Sequence, residues 1–248
     1  MISSKHALGF GSFVARYRYP GRGIALGRDA LGVGFAAYWL TGRSPESQRR
    51  QLIVDADALE ISDIARSQSD PLRHYTAIIR GADRIVVGNG SQVGKVVADL
   101  EAGVGPFEAL SKLEYEPDPP IRTPRITATA LVAGDEVSQV ILSGAVAHPR
   151  WPETSWHNMF HTPTLEAGQC HAMTTYSGDT ATVSTSGQPT AVEVDAGWPG
   201  LLEQIWDNLD PALRIAAAVV PLVGDLRHGR FVGAHQPLIH AGTGRATT

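Results

Sequence analysis

The chain is poor in the residues that cross-link a fold. Among its 248 residues there is one cysteine, Cys170. A single thiol forms no intrachain disulfide and cannot build a cysteine-rich zinc site. That usage fits a reducing compartment, and a cytoplasmic location is expected. Charge is sparse as well, at 19% of residues. The net charge is −4 and the pI is near 6.1, which argues against a general nucleic-acid surface and leaves room for a local basic pocket. No apolar run reaches the roughly 20 residues of a membrane-spanning helix, so no membrane contact is expected. Residues 1–18 carry an apolar stretch, but Gly and Ser break it and Arg16 and Arg18 close it. They read as a loosely determined arm, not as a signal peptide. The Gly-x-Ser-x-Gly elbow of serine hydrolases is also missing, so no Ser/His/Asp triad can be argued.

What is present is a globular composition. Hydrophobic residues make up 43% of the chain, enough for a sizeable core at this length. Residues 24–27 and 34–42 read as a hairpin, 51–55 and 58–62 as strands, and 75–80 with 84–89 as a second hairpin. Val93, Val96, Val97 and Leu100 recur at helical spacing, and Pro106 opens a second helix at a favoured first position. Residues 125–144 read as a third hairpin, 145–170 as loop, and 170–176 and 180–184 as strands. Residues 200–209 and 211–220 read as helices, and the chain from about 225 as a frayed tail. Hairpins combined with helix pairs predict an α+β layered domain rather than a doubly wound parallel sheet. With no repeat or linker in view, one domain is expected over 19–225, between an arm at 1–18 and a flexible tail at 226–248.

Two polar segments are candidates for chemistry. T-G-R-S-P-E-S-Q-R-R, residues 41–50, offers Arg43, Ser44, Ser47, Gln48, Arg49 and Arg50. Guanidinium forks and hydroxyls at a strand end suit phosphate or carboxylate binding, although a solvated basic loop has the same composition. Residues 115–125 hold four prolines and are therefore an extended loop. This loop carries Glu116 and Asp118, just after Glu114. A carboxylate on a rigid loop suits a general base; a charged surface loop is the other reading. His157 and His161 are four apart, as in a helical metal pair, but no acidic residue lies between them and no metal is expected. Cys170 beside His171 reads as a buried small hydrophobe.

The stretch D-R-I-V-V-G-N-G-S-Q-V-G-K, from Asp83, resembles a phosphate-binding loop at first sight. The pattern fails twice. Asn89 stands where the first Gly belongs, and Val96 where the metal-holding hydroxyl belongs. A strand running through a Gly-rich turn into a helix still offers free N–H groups to an anion. It is equally an ordinary corner with Ser91 as N-cap.

Four motifs follow one another in the chain. They are Y-P-G-R-G-I-A-L-G from Tyr19, A-Y-W-L-T-G-R-S from Ala37, V-V-G-N-G-S from Val86 and Y-E-P-D-P-P-I-R-T-P-R-I from Tyr115. Together they resemble the archaeal-type IMP cyclohydrolase family from Tyr19 to about Leu131, and more thinly through T-T-Y-S-G-D to the end. The resemblance implies a four-layer α-β-β-α sandwich like that of the N-terminal-nucleophile hydrolases, without their terminal nucleophile. It implies closure of the purine ring of 5-formamidoimidazole-4-carboxamide ribonucleotide (FAICAR) to IMP and water, with no cofactor and no metal. A nucleotide-monophosphate ligand and a homo-oligomer go with it. By the same resemblance Glu116, Tyr75 and Arg49 are catalytic. Tyr75 matches by its place four residues after Pro71. An extra residue in this chain makes Arg50 the other candidate for the role of Arg49. Arg22, Arg43, Ser44, Asn89, Gly90, Ser91, Thr123 and Arg125 would bind substrate. A relative acting on another purine-like ribonucleotide, or a non-catalytic nucleotide-binding relative, would carry the same residues.

Overall fold

The computed structural model describes residues 8–64, 72–134 and 136–240. Residues 1–7, 65–71 (with Pro71), 135 and 241–248 lie outside the described residues. Two large mixed sheets dominate the described chain, and its helices are few and short. The first sheet orders its strands Leu8–Gly9, Thr190–Glu193, Gln169–Thr174, Arg22–Arg28, Gly34–Thr41, Arg214–Pro221 and Arg230–Gly233. The second runs Ser155–Thr164, Glu136–Ala147, Arg125–Ala133, Arg84–Gly88, Tyr75–Arg80, Ala58–Asp63, Arg50–Val54 and Leu238–Ile239. Neighbours are antiparallel, except that Leu8–Gly9 runs parallel to Thr190–Glu193 and Leu238–Ile239 parallel to Arg50–Val54.

The strand Gly34–Thr41 shows why the sequence folds this way. Its apolar run is continuous rather than alternating, the pattern of a strand buried on both faces. Ala36, Tyr38 and Leu40 face a core shared with Leu52, Leu59, Ile78 and Leu142 of the second sheet. Phe35, Ala37 and Trp39 face the other way, into a cluster with helices α1 (Phe10–Ala15) and α5 (Leu201–Asn208). On the second sheet, Val86, Ile141 and Ala145 pack against α3 (Gln92–Glu101) and α4 (Pro106–Ser111) through Val93, Val96, Ala109 and Leu110. A four-residue helix, α2 (Pro45–Gln48), lies between the two sheets in the chain, and its N-terminus is closed by a reciprocal capping box between Ser44 and Ser47.

Trp39 lies over Gly23 of the neighbouring strand. A Cβ added at Gly23 would sit 1.9 Å from the indole ring. Gly23→Ala is therefore expected to destabilise by about 1–3 kcal/mol through overpacking. The midpoint of urea unfolding reads this directly.

Several expectations change. Residues 8–15 are not a loose arm: Phe10, Phe13 and Val14 are buried under the first sheet. Residues 214–221 form a central strand, not a helix. Its alanines suited either state, but burial on both faces next to Gly34–Thr41 selects the strand. The 145–170 segment is not loop throughout, since Ser155–Thr164 pairs along Glu136–Ala147. It is an outer strand with few buried positions, so it shows little of the alternation that marks a strand. The tail is ordered as far as residue 240: Arg230–Gly233 pairs with Arg214–Pro221, and Leu238–Ile239 with Arg50–Val54. The hairpins at 75–89 and 125–144 and the helices at 93–100, 106–111 and 201–208 stand as expected.

Candidate active site

Polar residues gather where strands of both sheets begin or end. Arg22, Arg50 and Tyr75 each open a strand, and Asn89 follows one. They surround a cavity of about 240 Å³, lined among others by Tyr19, Arg22, Thr41, Ser44, Ser47, Arg50, Glu116, Asp118 and Tyr176. Gly21 delivers Arg22 to it. Its φ of +70° suits glycine, and a Cβ there would meet the Tyr176 ring at 2.4 Å.

At the centre is a buried ion pair. Arg22 Nη2 donates to Glu116 Oε2 at 2.9 Å, and Glu116 is 2% exposed. Arg22 Nη1 donates to the Asn89 carbonyl at 3.2 Å. Asn89 is fully buried and ties the corner together. Its Nδ2 donates to the Pro124 carbonyl at 2.9 Å and, more weakly, to Glu116 Oε1 at 3.4 Å. Its Oδ1 accepts from the Ile126 N–H at 2.8 Å and from Gln92 at 2.9 Å. The proline loop folds back on itself, with the Glu116 N–H donating to the Thr123 carbonyl at 2.8 Å. Burial raises the pKa of Glu116 above the usual carboxylate range, and the Arg22 cation opposes the rise. Burial is the strongest single influence on Arg22 and works against its charge, but Glu116 together with Tyr75, Tyr176 and Tyr38 outweighs it and keeps that pKa well above its ordinary value. The arginine is a fixed cation; the carboxylate is poised to exchange a proton.

Two further groups flank the pair. The Tyr38 and Tyr75 hydroxyls share a hydrogen bond of 2.6 Å, both rings being buried. Burial, then Tyr75, pushes the Tyr38 phenol well above its ordinary pKa. Arg50 is buried, and its Nε donates to the Ser47 carbonyl at 3.0 Å. Tyr176, also in the cavity wall, stacks on Tyr19 with centroids 5.5 Å apart. The Tyr176 hydroxyl lies 2.6 Å from Thr123 Oγ1, which lies 2.5 Å from Asp118 Oδ2.

This arrangement bears on what the chain is related to. The family described as IMP cyclohydrolase-like protein matches it over residues 19–225. The chain belongs to that family. No curated protein matches it. Membership supports a cyclohydrolase-related function and a nucleotide-like small-molecule ligand.

For this IMP cyclohydrolase-like chain, the structure brings some of the expected residues together and leaves others apart. Arg22, Ser44 and Glu116 line the cavity. Asn89 and Thr123 are buried directly behind it, and a Cβ at Gly90 would lie 3.2 Å from Glu116 Oε1. Arg125 is near enough that its charge lowers the Glu116 pKa. Tyr75 sits behind the cavity, against Tyr38. Arg49 points elsewhere: its side chain is 48% exposed and pairs with Asp63 at 3.4 Å. Arg50, the other candidate, lines the cavity. Arg43 is exposed, lying over the Tyr19 ring and donating to the Thr180 carbonyl. Ser91 occupies the N-cap position of α3, as expected, but it is exposed and its side chain makes no capping bond. Ser47 of the 41–50 segment lines the cavity, and so do Tyr19, Thr41 and Tyr176, which the sequence does not single out as site residues. Only the early tyrosine motif and T-T-Y-S-G-D carried a trace of them.

The remaining candidates behave as packing groups. Cys170 is buried against Gly27, and burial drives its thiol pKa up, away from nucleophile duty. His157 and His161 lie on an extended strand, where four residues span about 13 Å, too far for one ion. Among the described residues no group of three His, Cys, Asp or Glu is placed to hold a metal.

Proposed function

We propose that this chain is an IMP cyclohydrolase, closing FAICAR to IMP and water. The observation that carries the reading is the buried Arg22–Glu116 pair at a cavity that also presents Arg50, Ser44 and Ser47. The reaction is a net loss of water with no redox change, so it calls on no cofactor. Its demands are orientation, a base near the carboxamide, a donor near the formyl oxygen, and an anchor for the phosphate. In this reading Arg50, Ser44 and Ser47, with Arg73 on the same wall, hold the phosphate. Glu116 takes the proton from the carboxamide nitrogen as that nitrogen attacks the formyl carbon, and passes it to the formyl oxygen. Tyr75 supports that oxygen through the Tyr38–Tyr75 pair. The two facing sheets with helices on their outer sides support the four-layer sandwich of the N-terminal-nucleophile type. A cytoplasmic homo-oligomer completes the reading.

The test is direct. Purified protein is incubated with FAICAR, without added metal, and IMP formation is followed by absorbance against the uncatalysed rate. Rapid closure supports the reading. Absence of closure, with FAICAR still raising the melting temperature, moves the substrate to another purine-like ribonucleotide. Absence of both overturns it.

The phosphate assignment gives a further expected result. Removing a charge-assisted bond costs about 1.5–3 kcal/mol, so Arg50→Ala is expected to raise KM by about tenfold to a hundredfold. Arg49→Ala is expected to cost less, because its guanidinium is half in solvent. Steady-state kinetics of the two variants decide between the neighbouring arginines.

A further inference from the structure

Ring closure with loss of water moves two protons, not one. The first leaves the attacking carboxamide nitrogen, and Glu116 serves it. The second leaves the formamide nitrogen when the carbon–nitrogen double bond forms. It needs its own acceptor, next to the hydroxyl that departs. Glu116 is held by Arg22 and Asn89. A second carboxylate, Asp118, lines the same cavity.

Asp118 does not act as an isolated acid. Its Oδ1 accepts from the Thr123 N–H at 2.7 Å, and its Oδ2 from the Thr123 hydroxyl at 2.5 Å. Thr123 is fully buried. Its hydroxyl has one proton, and giving it to the carboxylate leaves the oxygen free to accept from Tyr176 at 2.6 Å. The Tyr176 oxygen then presents its remaining lone pair as an acceptor. Tyr176 itself lines the cavity and is fixed there, stacked under Tyr19 and seated against Gly21. If Asp118 gains a proton the whole row reverses, and Tyr176 becomes a donor. Three hydroxyl and carboxyl groups in line, with two equivalent arrangements, make a reversible proton relay.

Resting on the cyclohydrolase reading, we propose that Tyr176 is a second catalytic group, coupled through Thr123 to Asp118, and that this row carries the formamide proton during elimination. The ring-closed adduct has a hydroxyl on the former formyl carbon. The formamide N–H proton passes to the Tyr176 oxygen, the Tyr176 proton to Thr123, and the Thr123 proton to Asp118. The N–H electron pair becomes the carbon–nitrogen double bond. The carbon–oxygen bond breaks with its pair on oxygen, and the row runs back to deliver the proton to that oxygen. Water leaves, and Asp118 is again a carboxylate. Both protons of the product water thus come from the two nitrogens, one through each carboxylate. Tyr176 touches the substrate; Thr123 and Asp118 are positioning residues that act through it.

The experiment measures kcat and KM for FAICAR closure, with solvent isotope effects, on the full chain. Tyr176→Phe is expected to lower kcat by about 10²–10⁴-fold while KM changes less than threefold. Asp118→Asn is expected to fall comparably, and Tyr176→Phe/Asp118→Asn no further than the worse single variant, since they break one path. Thr123→Ser keeps the hydroxyl and is expected to retain activity; Thr123→Val, checked for folding by its melting curve, is expected to lose it. Wild type is expected to show a curved proton inventory that becomes linear in Tyr176→Phe. A Tyr176→Phe kcat within threefold of wild type overturns the relay, as do losses that multiply in the double variant. A wild type that does not close FAICAR overturns FAICAR as the substrate, and with it the relay proposed for its formamide proton.

Discussion

Glu116→Gln is expected to retain FAICAR binding and to lose turnover by about 10²–10⁴-fold, the usual contribution of a positioned general base. The substitution is nearly isosteric, so the folded proline loop and the Glu116 N–H bond to Thr123 are kept. What disappears is the oxygen that can take a proton. Burial holds the Glu116 pKa above that of an exposed glutamate, with Arg22 opposing. A base works in its ionised form, so kcat/KM of the wild type should rise with pH through that raised value and then level off. The acid limb should therefore lie higher than an ordinary glutamate at about 4.3 would place it. In Glu116→Gln the limb attributable to this group should vanish. Thermal shift with FAICAR and the kcat/KM profile together read the prediction. Unchanged turnover in the variant would remove Glu116 from the chemistry.

The part of this site that was legible before the structure was the part written in short, contiguous motifs. Tyr19-Pro20-Gly21-Arg22 places a positive-φ glycine before a strand, and the proline loop announces Glu116 by its rigidity. The choice between Arg49 and Arg50 was not legible. It depends on α2 closing at Gln48, which leaves Arg49 at the cap and turns Arg50 into the following strand. Tyr176 is faint in the sequence for another reason. Its role arises from contacts 53 residues away, with Thr123. The same holds for the fold. Phe10, Phe13 and Val14 have helical spacing, but the glycines and serine among them and the shortness of α1 hide it. Its stability comes from packing on Trp39, with ring centroids 6.4 Å and 6.3 Å from Phe10 and Phe13, rather than from local propensity. Residues 214–221 were misread because an alanine-rich run carries no period that tells a buried strand from a helix.

Arg22→Ala is expected to be the most damaging single change to stability. It removes the cation from a buried pair and leaves Glu116 with Asn89 as a weak donor at 3.4 Å. Breaking a buried pair from one side costs about 3–5 kcal/mol, because the stranded charge has no water to return to. The pH dependence identifies the cause. The Glu116 pKa is already raised in the fold with Arg22 present, and losing the cation raises it further. A carboxylate with a raised folded-state pKa favours the protonated fold. Its contribution is fully present below the unfolded value of about 4.3 and is lost as pH rises through the folded value. The deficit of Arg22→Ala against wild type should thus be smallest in acid and grow toward neutral pH. Adding Glu116→Gln removes the buried charge and should restore part of the stability at neutral pH, without restoring turnover. Urea unfolding of wild type and both variants across this range is the measurement. A deficit that does not change with pH would mean that Arg22 stabilises the site by packing and by its bond to the Asn89 carbonyl, and not by holding the charge of Glu116.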